Sequence, residues 1–457
     1  MSAPKPPTTG LILTGGGARA AYQVGVLQAI AQIRRDCGVG GNPFDVIAGT
    51  SAGAINAATL ACEADKFDQA IDGLVEIWSR IHVDQVYHSD TFGVIRTGTR
   101  WMTMMSLGWA VNRWRRTRPR SLLDNEPLYH LLRRRVRFER LPKLFEEGHL
   151  QALAVTGSSY TSGQHVTFYE SAKPVEPWLR SQRIAVQSEL TLEHLLASSA
   201  IPFIFPPQLL PLQGQDEWFG DGSMRQNAPI SPAVHLGAER VLIIGAGRMQ
   251  QPGTTEERHV QVHTGQPSMA QIAGHALSNI FLDALAVDIE RLQRINKTLS
   301  LLSPEARANT PLRPLDVLVI SPSKRLDDLA GLHQHELPLP IRTLLGAVGV
   351  QGQGTAARGS ALVSYLLFEP GYTTELIVLG MTDTLQRRAE VQAFFGWPDR
   401  APEPVWRRLE REGYLRPGAV DSAEAAEAEE AKDADSDSDP EPVMPDAPAW
   451  GTALPAG

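Results

Sequence analysis

The sequence predicts an α/β protein, a three-layer α/β/α sandwich around a mainly parallel sheet, followed by a helical C-terminal extension. Two observations support this prediction. Short apolar runs alternate with helical segments over the first 62 residues, and a loop rich in glycine follows each of the first two runs. This alternation is typical of parallel strands whose connecting helices cover the faces of the sheet.

The glycine loop between the first strand and the first helix has two interpretations. The strand is Leu11-Ile12-Leu13, and the helix runs from about 21 to 33. Gly15-x-Gly17-x-x-Ala20 fits a dinucleotide-binding fingerprint, in which a pyrophosphate lies on the helix N-terminus. Alternatively, the free backbone N–H groups of this loop form an oxyanion hole, to which Arg19 adds positive charge. The residues that would supply these N–H groups are Gly15, Gly16 and Gly17. A tight turn that only packs the helix on the sheet fits either pattern.

The second strand, Phe44–Ala48, leads into a motif of small residues, Gly49-Thr50-Ser51-Ala52-Gly53, and then into a helix at 54–62. This Gly-x-Ser-x-Gly pattern is typical of a sharp turn that presents a serine nucleophile at a helix N-terminus. Gly49 and Gly53 would let neighbouring backbone pass close to the turn. Amide groups and the helix dipole would favour negative charge at Ser51. The plainer alternative is a turn that packs a helix on a sheet.

The net charge of −8 is concentrated at the C-terminal end of the chain. Residues 421–457 hold eleven acidic side chains and one lysine, so residues 1–420 carry a net charge of +2. The two cysteines, Cys37 and Cys62, form neither a disulfide framework nor a zinc motif, which favours a reducing compartment. We find no signal-peptide pattern and no run of 18 apolar residues, so we expect a cytoplasmic protein without a membrane span.

Residues 99–120 combine tryptophan and methionine with a cluster of arginines. Aromatic rings beside cations suit a lipid headgroup layer, so this segment predicts peripheral contact with the inner face of a membrane. A lid over an acyl pocket, or a subdomain core with a basic rim, would have a similar composition. The basic runs are short and lack a recognisable binding motif, so we do not expect nucleic acid as a partner.

A loop and a turn further along the chain complete the candidate site. Residues 197–207 contain three prolines, and the aromatic residues of this stiff loop would line an apolar cleft. Asp221-Gly222 lies in a turn that would present its carboxylate at the edge of the sheet. A partly buried aspartate has a raised pKa and can take a proton from a nearby hydroxyl. The base for Ser51 is therefore Asp221 or a later histidine (His235, His259, His263 or His275), although an Asp-Gly pair is also a common simple turn.

We predict four regions: a flexible leader (1–9), a catalytic domain (10–245), a mainly helical extension packed on that domain (246–415) and a disordered acidic tail (416–457). Within the extension, 269–298 is predicted as one long amphipathic helix and 316–321 as a buried strand. Further helices are predicted at 359–368, 373–379 and 384–395.

Three elements, taken in chain order, resemble the patatin-like phospholipase family. They are the glycine loop at 15–19, the elbow at 49–53 and the pair Asp221-Gly222. Residues 197–207 are also similar to the stretch that precedes the aspartate of this family, and the likeness reaches about residue 397. Two positions depart from the family pattern: Ala20 replaces a glycine, and Ser223 stands where glycine or alanine is usual.

The resemblance implies a serine–aspartate dyad in place of a triad. Ser51 would attack an ester carbonyl, Asp221 would accept its proton and later activate water, and amides of the 15–17 loop would hold the oxyanion. The implied substrates are phospholipids, lysophospholipids or similar ester lipids, with neither metal nor cofactor. Two alternatives stay open, namely a nucleotide-binding oxidoreductase built on the glycine loop and a catalytically inactive membrane-surface binding protein.

Overall fold

The computed structural model describes residues 6–88, 121–248, 266–310, 312–352, 354 and 357–401, without the side chains of 282 and 283. The first five residues of the predicted leader, the predicted membrane-contact segment 99–120 and the acidic tail lie outside the described residues. So do His259 and His263. These predictions, and the proposed boundaries between the four regions, stay predictions.

A single mixed sheet forms the centre of the described chain, and its strand order is β10-β9-β1-β2-β3-β4-β6-β5. The pairs β10/β9, β9/β1, β1/β2, β2/β3 and β4/β6 are parallel, whereas β3/β4 and β5/β6 are antiparallel. A hairpin of β7 and β8 joins the sheet through β3. The strands are β1 Thr9–Leu13, β2 Val46–Thr50, β3 Ala152–Ser159, β4 His165–Ser171, β5 Leu179–Arg180, β6 Arg183–Gln187, β7 Gln208–Leu212, β8 Gln215–Asp221, β9 Arg240–Ile244 and β10 Asp316–Ile320.

Helices surround this sheet and continue towards the C-terminal end. They are α1 Ala21–Asp36, α2 Ala52–Ala61, α3 Phe67–Ser79, α4 Glu126–Arg135, α5 Leu141–Glu146, α6 Leu192–Ser198, α7 Ser231–His235, α8 Met269–Ser278, α9 Ala284–Leu301, α10 Pro304–Ala308, α11 Leu326–His333, α12 Leu339–Ala347, α13 Ser360–Leu366, α14 Pro370–Gln386 and α15 Arg388–Phe395. Short 3₁₀ turns at Gly17–Ala20 and Gly222–Arg225 follow β1 and β8.

Each face of the sheet carries its own hydrophobic core, because successive side chains of a strand point to opposite faces. In β1, Leu11 and Leu13 belong to one core, whereas Ile12 belongs to the other. The first core contains residues of α1, α2, α3 and α14, and the second contains residues of α7 and α9. The predicted α/β fold with helical layers on both faces of a mainly parallel sheet is therefore confirmed.

Helix α14 covers α1, although about 350 residues separate the two helices in the chain. The helices approach so closely that a side chain on Gly25 would meet the carbonyl of Ile377, and one on Gly380 would meet that of Tyr22. The hydroxyl of Tyr22 donates to Asp383 at 3.0 Å. This contact explains why α14 extends to Gln386, well beyond the predicted end at Leu379.

Helices α8 and α9 are joined by a π-helical turn, Asn279–Asp283, so the predicted helix at 269–298 is continuous but not uniform. By length and composition alone, this helix could cross a membrane. Its contacts are those of a helix packed on its own protein, however. Phe281, Leu285 and Ile289 are buried, and Asp288 accepts the backbone N–H of Ile230 at 3.1 Å.

Candidate active site

The register of β3 brings the predicted serine and aspartate together. Along one edge of β3, Thr156 pairs with Thr50 at the end of β2, and the next residue, Gly157, pairs with Asp221 at the end of β8. Strands β2 and β8 thus follow one another along the same edge and end at the same point. The hydroxyl of Ser51 donates to Oδ2 of Asp221 at 2.6 Å.

Ser51 lies in a sharp turn between β2 and α2. Its φ of 56° and ψ of −133° are unusual for a residue with a side chain, and they persist because the surrounding structure fixes the turn. Side chains at Gly49 or Gly53 would meet the backbone of Ala54 and the carbonyls of Leu13 and Thr14, respectively. The strand and the helix both reach closer to Ser51 than predicted, so the turn is tighter than the sequence indicates.

Asp221 is completely buried, and both of its carboxylate oxygens accept hydrogen bonds. Oδ2 accepts from Ser51, and Oδ1 accepts from the backbone N–H of Ser223 at 2.9 Å. Burial raises the pKa of Asp221 from 3.8 to about 6, while the hydrogen bonds from Ser51 and Ser223 act in the opposite direction. A carboxylate with this pKa is ionised near neutral pH and basic enough to take a proton from a hydroxyl.

No histidine within the described part of the chain takes the place of Asp221. His235 stacks on Trp178 with ring centroids 4.6 Å apart, and His275 lies in α8 on the surface. Of the two interpretations that the sequence leaves open for the base, the geometry favours Asp221 directly against Ser51.

The glycine loop begins at the end of β1, between the ends of β2 and β9, where parallel strands of an open sheet commonly form a binding site. No acceptor among the described residues takes the backbone N–H groups of Gly15, Gly16 or Gly17, so these donors are free for a ligand. A side chain on Gly15 would meet Phe281, and one on Gly17 would meet the carbonyl of Tyr365. The loop is therefore covered by the C-terminal helices, which argues against a dinucleotide lying along it.

Arg19 has a different environment from the one that the oxyanion prediction requires. Its guanidinium is buried and forms an ion pair with Asp327, and Nε donates to the hydroxyl of Ser364 at 2.8 Å. The same group lies 3.9 Å from the ring centroid of Tyr365. The charge of Arg19 is thus neutralised by α11 and α13, so the structure does not support Arg19 as a free cation in the oxyanion hole.

Several residues that the sequence analysis did not single out hold the two loops in register. The backbone N–H of Ser51 donates to the hydroxyl of Ser198 at 2.8 Å. Gln226, just beyond Asp221, donates to Thr50 at 2.7 Å, and Thr50 shares a 2.7 Å hydrogen bond with Thr156. Gly222 lies against the same Thr156, whose backbone and hydroxyl leave no space for a side chain there. No local pattern marks Gln226 or Thr156, whereas Ser198 falls within the 197–207 stretch noted above.

An apolar pocket opens beside Ser51, between α2, α3 and α4. Its lining includes Ile55, Leu74, Trp78, Leu132, Phe205 and Phe368. Arg135 is the one charged side chain among its described lining residues. The free space is narrow, about 50 Å³, which holds a few water molecules but no long acyl chain unless side chains move apart.

One group of described residues has the composition of a cation site. His88, Asp124 and Glu126 bring their ligand atoms within 4.8 Å of one another, but all three are exposed and nothing else around them indicates an ion. The arrangement of Ser51 and Asp221 does not depend on this group.

Comparison with known proteins identifies the same part of the chain. A model of the family "Patatin-like phospholipase" matches residues 11–234. The chain is similar to the lysophospholipase nte1 of Aspergillus terreus, with 47% identity over 58 residues, which are 13% of this chain and only 3% of that protein.

Two solved structures have low overall similarity. VipD from Legionella pneumophila is 12% identical, with a TM-score of 0.30 over 95% of this chain and 81% of that one. A complex of ExoU with SpcU from Pseudomonas aeruginosa is 20% identical, with a TM-score of 0.19 over 36% of this chain and 35% of the matched one. At these scores, neither structure adds to the argument. The family match spans the glycine loop, the serine elbow and the aspartate, and the chain therefore belongs to the patatin-like phospholipase family.

Proposed function

We propose that this protein hydrolyses carboxylic esters of lipids, such as phospholipids or lysophospholipids, with Ser51 as nucleophile and Asp221 as general base. The observation that carries this proposal is the 2.6 Å hydrogen bond from the Ser51 hydroxyl to a fully buried carboxylate, next to an apolar pocket. Membership of the family supports the same class of reaction.

In the first half of the reaction, Oγ of Ser51 attacks the ester carbonyl while its proton passes to Oδ2 of Asp221. The carbonyl oxygen becomes an oxyanion, and free amides of the 15–17 loop are its proposed donors. The backbone N–H of Ser51 is already bound by Ser198, so it does not serve this purpose. As the C–O bond breaks, the alcohol leaves with the proton from Asp221, and an acyl group stays on Ser51.

In the second half, water replaces the alcohol. Asp221, again ionised, takes a proton from the water while the water oxygen attacks the acyl carbonyl. The bond to Ser51 breaks, the proton returns to Oγ, and a free carboxylic acid is released. The backbone N–H of Ser223 holds Oδ1 of Asp221 at 2.9 Å, which keeps Oδ2 directed at Ser51 throughout.

The pocket supports a lipid substrate. Its walls are almost entirely apolar, and a chain of methylene groups would gain roughly 0.8 kcal/mol for each CH₂ removed from water. Because the resting pocket is narrow, we expect the enzyme to accept short soluble esters readily and to need side-chain movement for long chains.

The test uses a short p-nitrophenyl ester and a phosphatidylcholine, with the wild type, Ser51→Ala and Asp221→Asn. Both variants should lose activity by about 10⁴-fold, as expected for groups that act as one unit. Matched controls are Ser300→Ala, on the surface of α9, and Asp216→Asn, exposed on the same strand as Asp221. Activity retained in either active-site variant would disprove the dyad.

The alternative oxidoreductase makes a separate prediction. A titration with NAD or NADP should show no binding, because Phe281 and Tyr365 cover the glycine loop. Saturable binding would contradict the ester hydrolase as the sole function of this loop. The inactive lipid-binding alternative is excluded by any activity that depends on Ser51.

A further inference from the structure

Phe203 combines two unusual properties. Its side chain is 80% exposed, although phenylalanine is a residue that proteins generally bury. Its φ is +66°, a backbone conformation that favours glycine and that a bulky residue rarely adopts. Strain of this kind persists only where the surrounding structure holds it, and it concentrates at functional sites.

The backbone around Phe203 is fixed on both sides. The carbonyl oxygens of Phe203 and Ile204 accept hydrogen bonds from the N–H groups of Leu122 and Leu123, each at 2.8 Å. The N–H of Phe205 donates to the carbonyl of Ile201 at 3.0 Å, which closes a tight turn around the exposed ring. The fold therefore holds the ring in solvent, where it gains no packing energy.

The position of the turn connects Phe203 to the pocket. Ile201 and Phe205, two residues before and after Phe203, are buried and line the same pocket as Ser51. One short turn thus directs two apolar side chains into the pocket and presents a third to solvent at its edge.

A second apolar feature follows immediately in the chain. In the β7–β8 hairpin, which carries Asp221, Leu209 and Trp218 are paired residues and are 46% and 39% exposed. Exposed apolar side chains therefore occur on both the turn beside the pocket and the hairpin behind the aspartate. Grouped apolar exposure of this kind marks a contact surface.

We propose that Phe203 is an interfacial anchor, whose ring inserts into the surface of the lipid aggregate that contains the ester substrate. This inference rests on the proposed lipid-ester hydrolysis, because it is the lipid nature of the substrate that selects a lipid surface over a protein partner. Ser51 is only 1% exposed, so a substrate must leave its aggregate and enter the pocket before it reacts. An aromatic ring embedded beside the pocket places that entrance at the lipid surface.

The first test measures binding without catalysis. In a Ser51→Ala background, sedimentation with phosphatidylcholine vesicles compares Phe203→Asn, Phe203→Trp and an otherwise unchanged protein. Asparagine tolerates a positive φ and removes the ring, so the fold is retained, which thermal unfolding checks. We expect Phe203→Asn to weaken vesicle binding about tenfold and Phe203→Trp to bind as the parent does. The control is Leu301→Asn, which removes an equally exposed apolar side chain from the end of α9 and should have no effect.

The second test measures the ratio of two rates in the active enzyme. Hydrolysis of phosphatidylcholine vesicles is divided by hydrolysis of p-nitrophenyl butyrate, which is soluble as a monomer. In Phe203→Asn this ratio should fall about tenfold, because only the vesicle reaction needs the anchor. Equal losses on both substrates would place Phe203 in the pocket and overturn the proposal.

Unchanged vesicle binding and an unchanged ratio would also overturn it, and would leave the ring to a contact with another protein. The two proposals fail in distinguishable ways. A wild type that hydrolyses neither ester refutes the catalytic proposal, while the sedimentation result still decides whether Phe203 contacts lipid.

Discussion

The backbone carbonyl of Tyr365 lies where the side chain of any residue other than glycine would begin at position 17. Gly17 has a φ of +55°, so both its conformation and its surroundings favour glycine. The glycine loop is consequently shaped by α13, an element that follows it by more than 340 residues. This contact makes the C-terminal helices part of the active site.

Gly17→Ala should therefore reduce both activity and stability. The new methyl group must displace the 365 carbonyl or the loop, which should lower kcat about 100-fold and destabilise the fold by about 2 kcal/mol. The measurements are ester hydrolysis and urea unfolding. Gly73→Ala is the matched control, because it lies within helix α3 with open space around it. That change should stabilise the protein by about 0.5–1 kcal/mol and leave kcat unchanged.

The ion pair of Arg19 with Asp327 offers a test of how the loop is held. The two side chains are 3% and 22% exposed, so either Arg19→Gln or Asp327→Asn should destabilise the protein by about 2 kcal/mol. If Arg19 acts by holding the loop, both variants should lower kcat to a similar degree. A loss confined to Arg19→Gln would instead restore Arg19 to the oxyanion hole. Arg80→Gln is the control, since its pair with Glu76 is 78% and 51% exposed and contributes little.

The pH dependence of the reaction should report the carboxylate of Asp221. Burial raises its pKa to about 6, and below that pH it holds a proton and cannot accept one from Ser51. We expect kcat/KM on a soluble ester to rise about tenfold per pH unit below 6 and to level off above it. Burial lowers the pKa of His165 and His194 to about 4, so neither residue would produce this profile. A rate already constant at pH 5 would contradict the prediction.

The same group should limit stability. A carboxyl whose pKa is higher in the folded than in the unfolded state binds its proton more tightly when folded, so stability falls as pH rises from about 4 to 6. Above that range the ionised form costs roughly 2–3 kcal/mol. Asp221→Asn removes this cost and can still satisfy the hydrogen bonds from Ser51 and Ser223. The inactive variant should therefore unfold at a higher temperature than the wild type at pH 7.5, and the gap should narrow at pH 5. A gap independent of pH would show that charge burial is not its cause.

The sequence predicts the parts of this site whose causes are local. Gly49, Ser51 and Gly53 mark a sharp turn because close backbone approach and a strained conformation need those residue types within five positions. Asp221-Gly222 is recognisable for a similar reason. Their meeting depends on the register of β3, however, and a register is set by many pairings that no short pattern records.

Other features could not be predicted because their causes lie far away in the chain. Arg19 looked like a cation for the oxyanion hole, and only the fold supplies Asp327 and Ser364 as its partners. The predicted end of α14 at Leu379 reflects the low helix propensity of Gly380. In the structure that glycine is required, because Tyr22 of α1 occupies the space of a side chain. The conformation of Phe203 opposes its own intrinsic preference and is held by Leu122.

The packing of α14 on α1 also has a consequence for synthesis of the protein on the ribosome. The elbow and the glycine loop emerge early, but the apolar surface of α1 stays uncovered until residue 386 has been made. Contacts of such large sequence separation form late and slow the folding of a domain. A nascent chain should therefore carry its nucleophile for most of translation without a settled oxyanion loop, so esterase activity would arise only as the last helices dock.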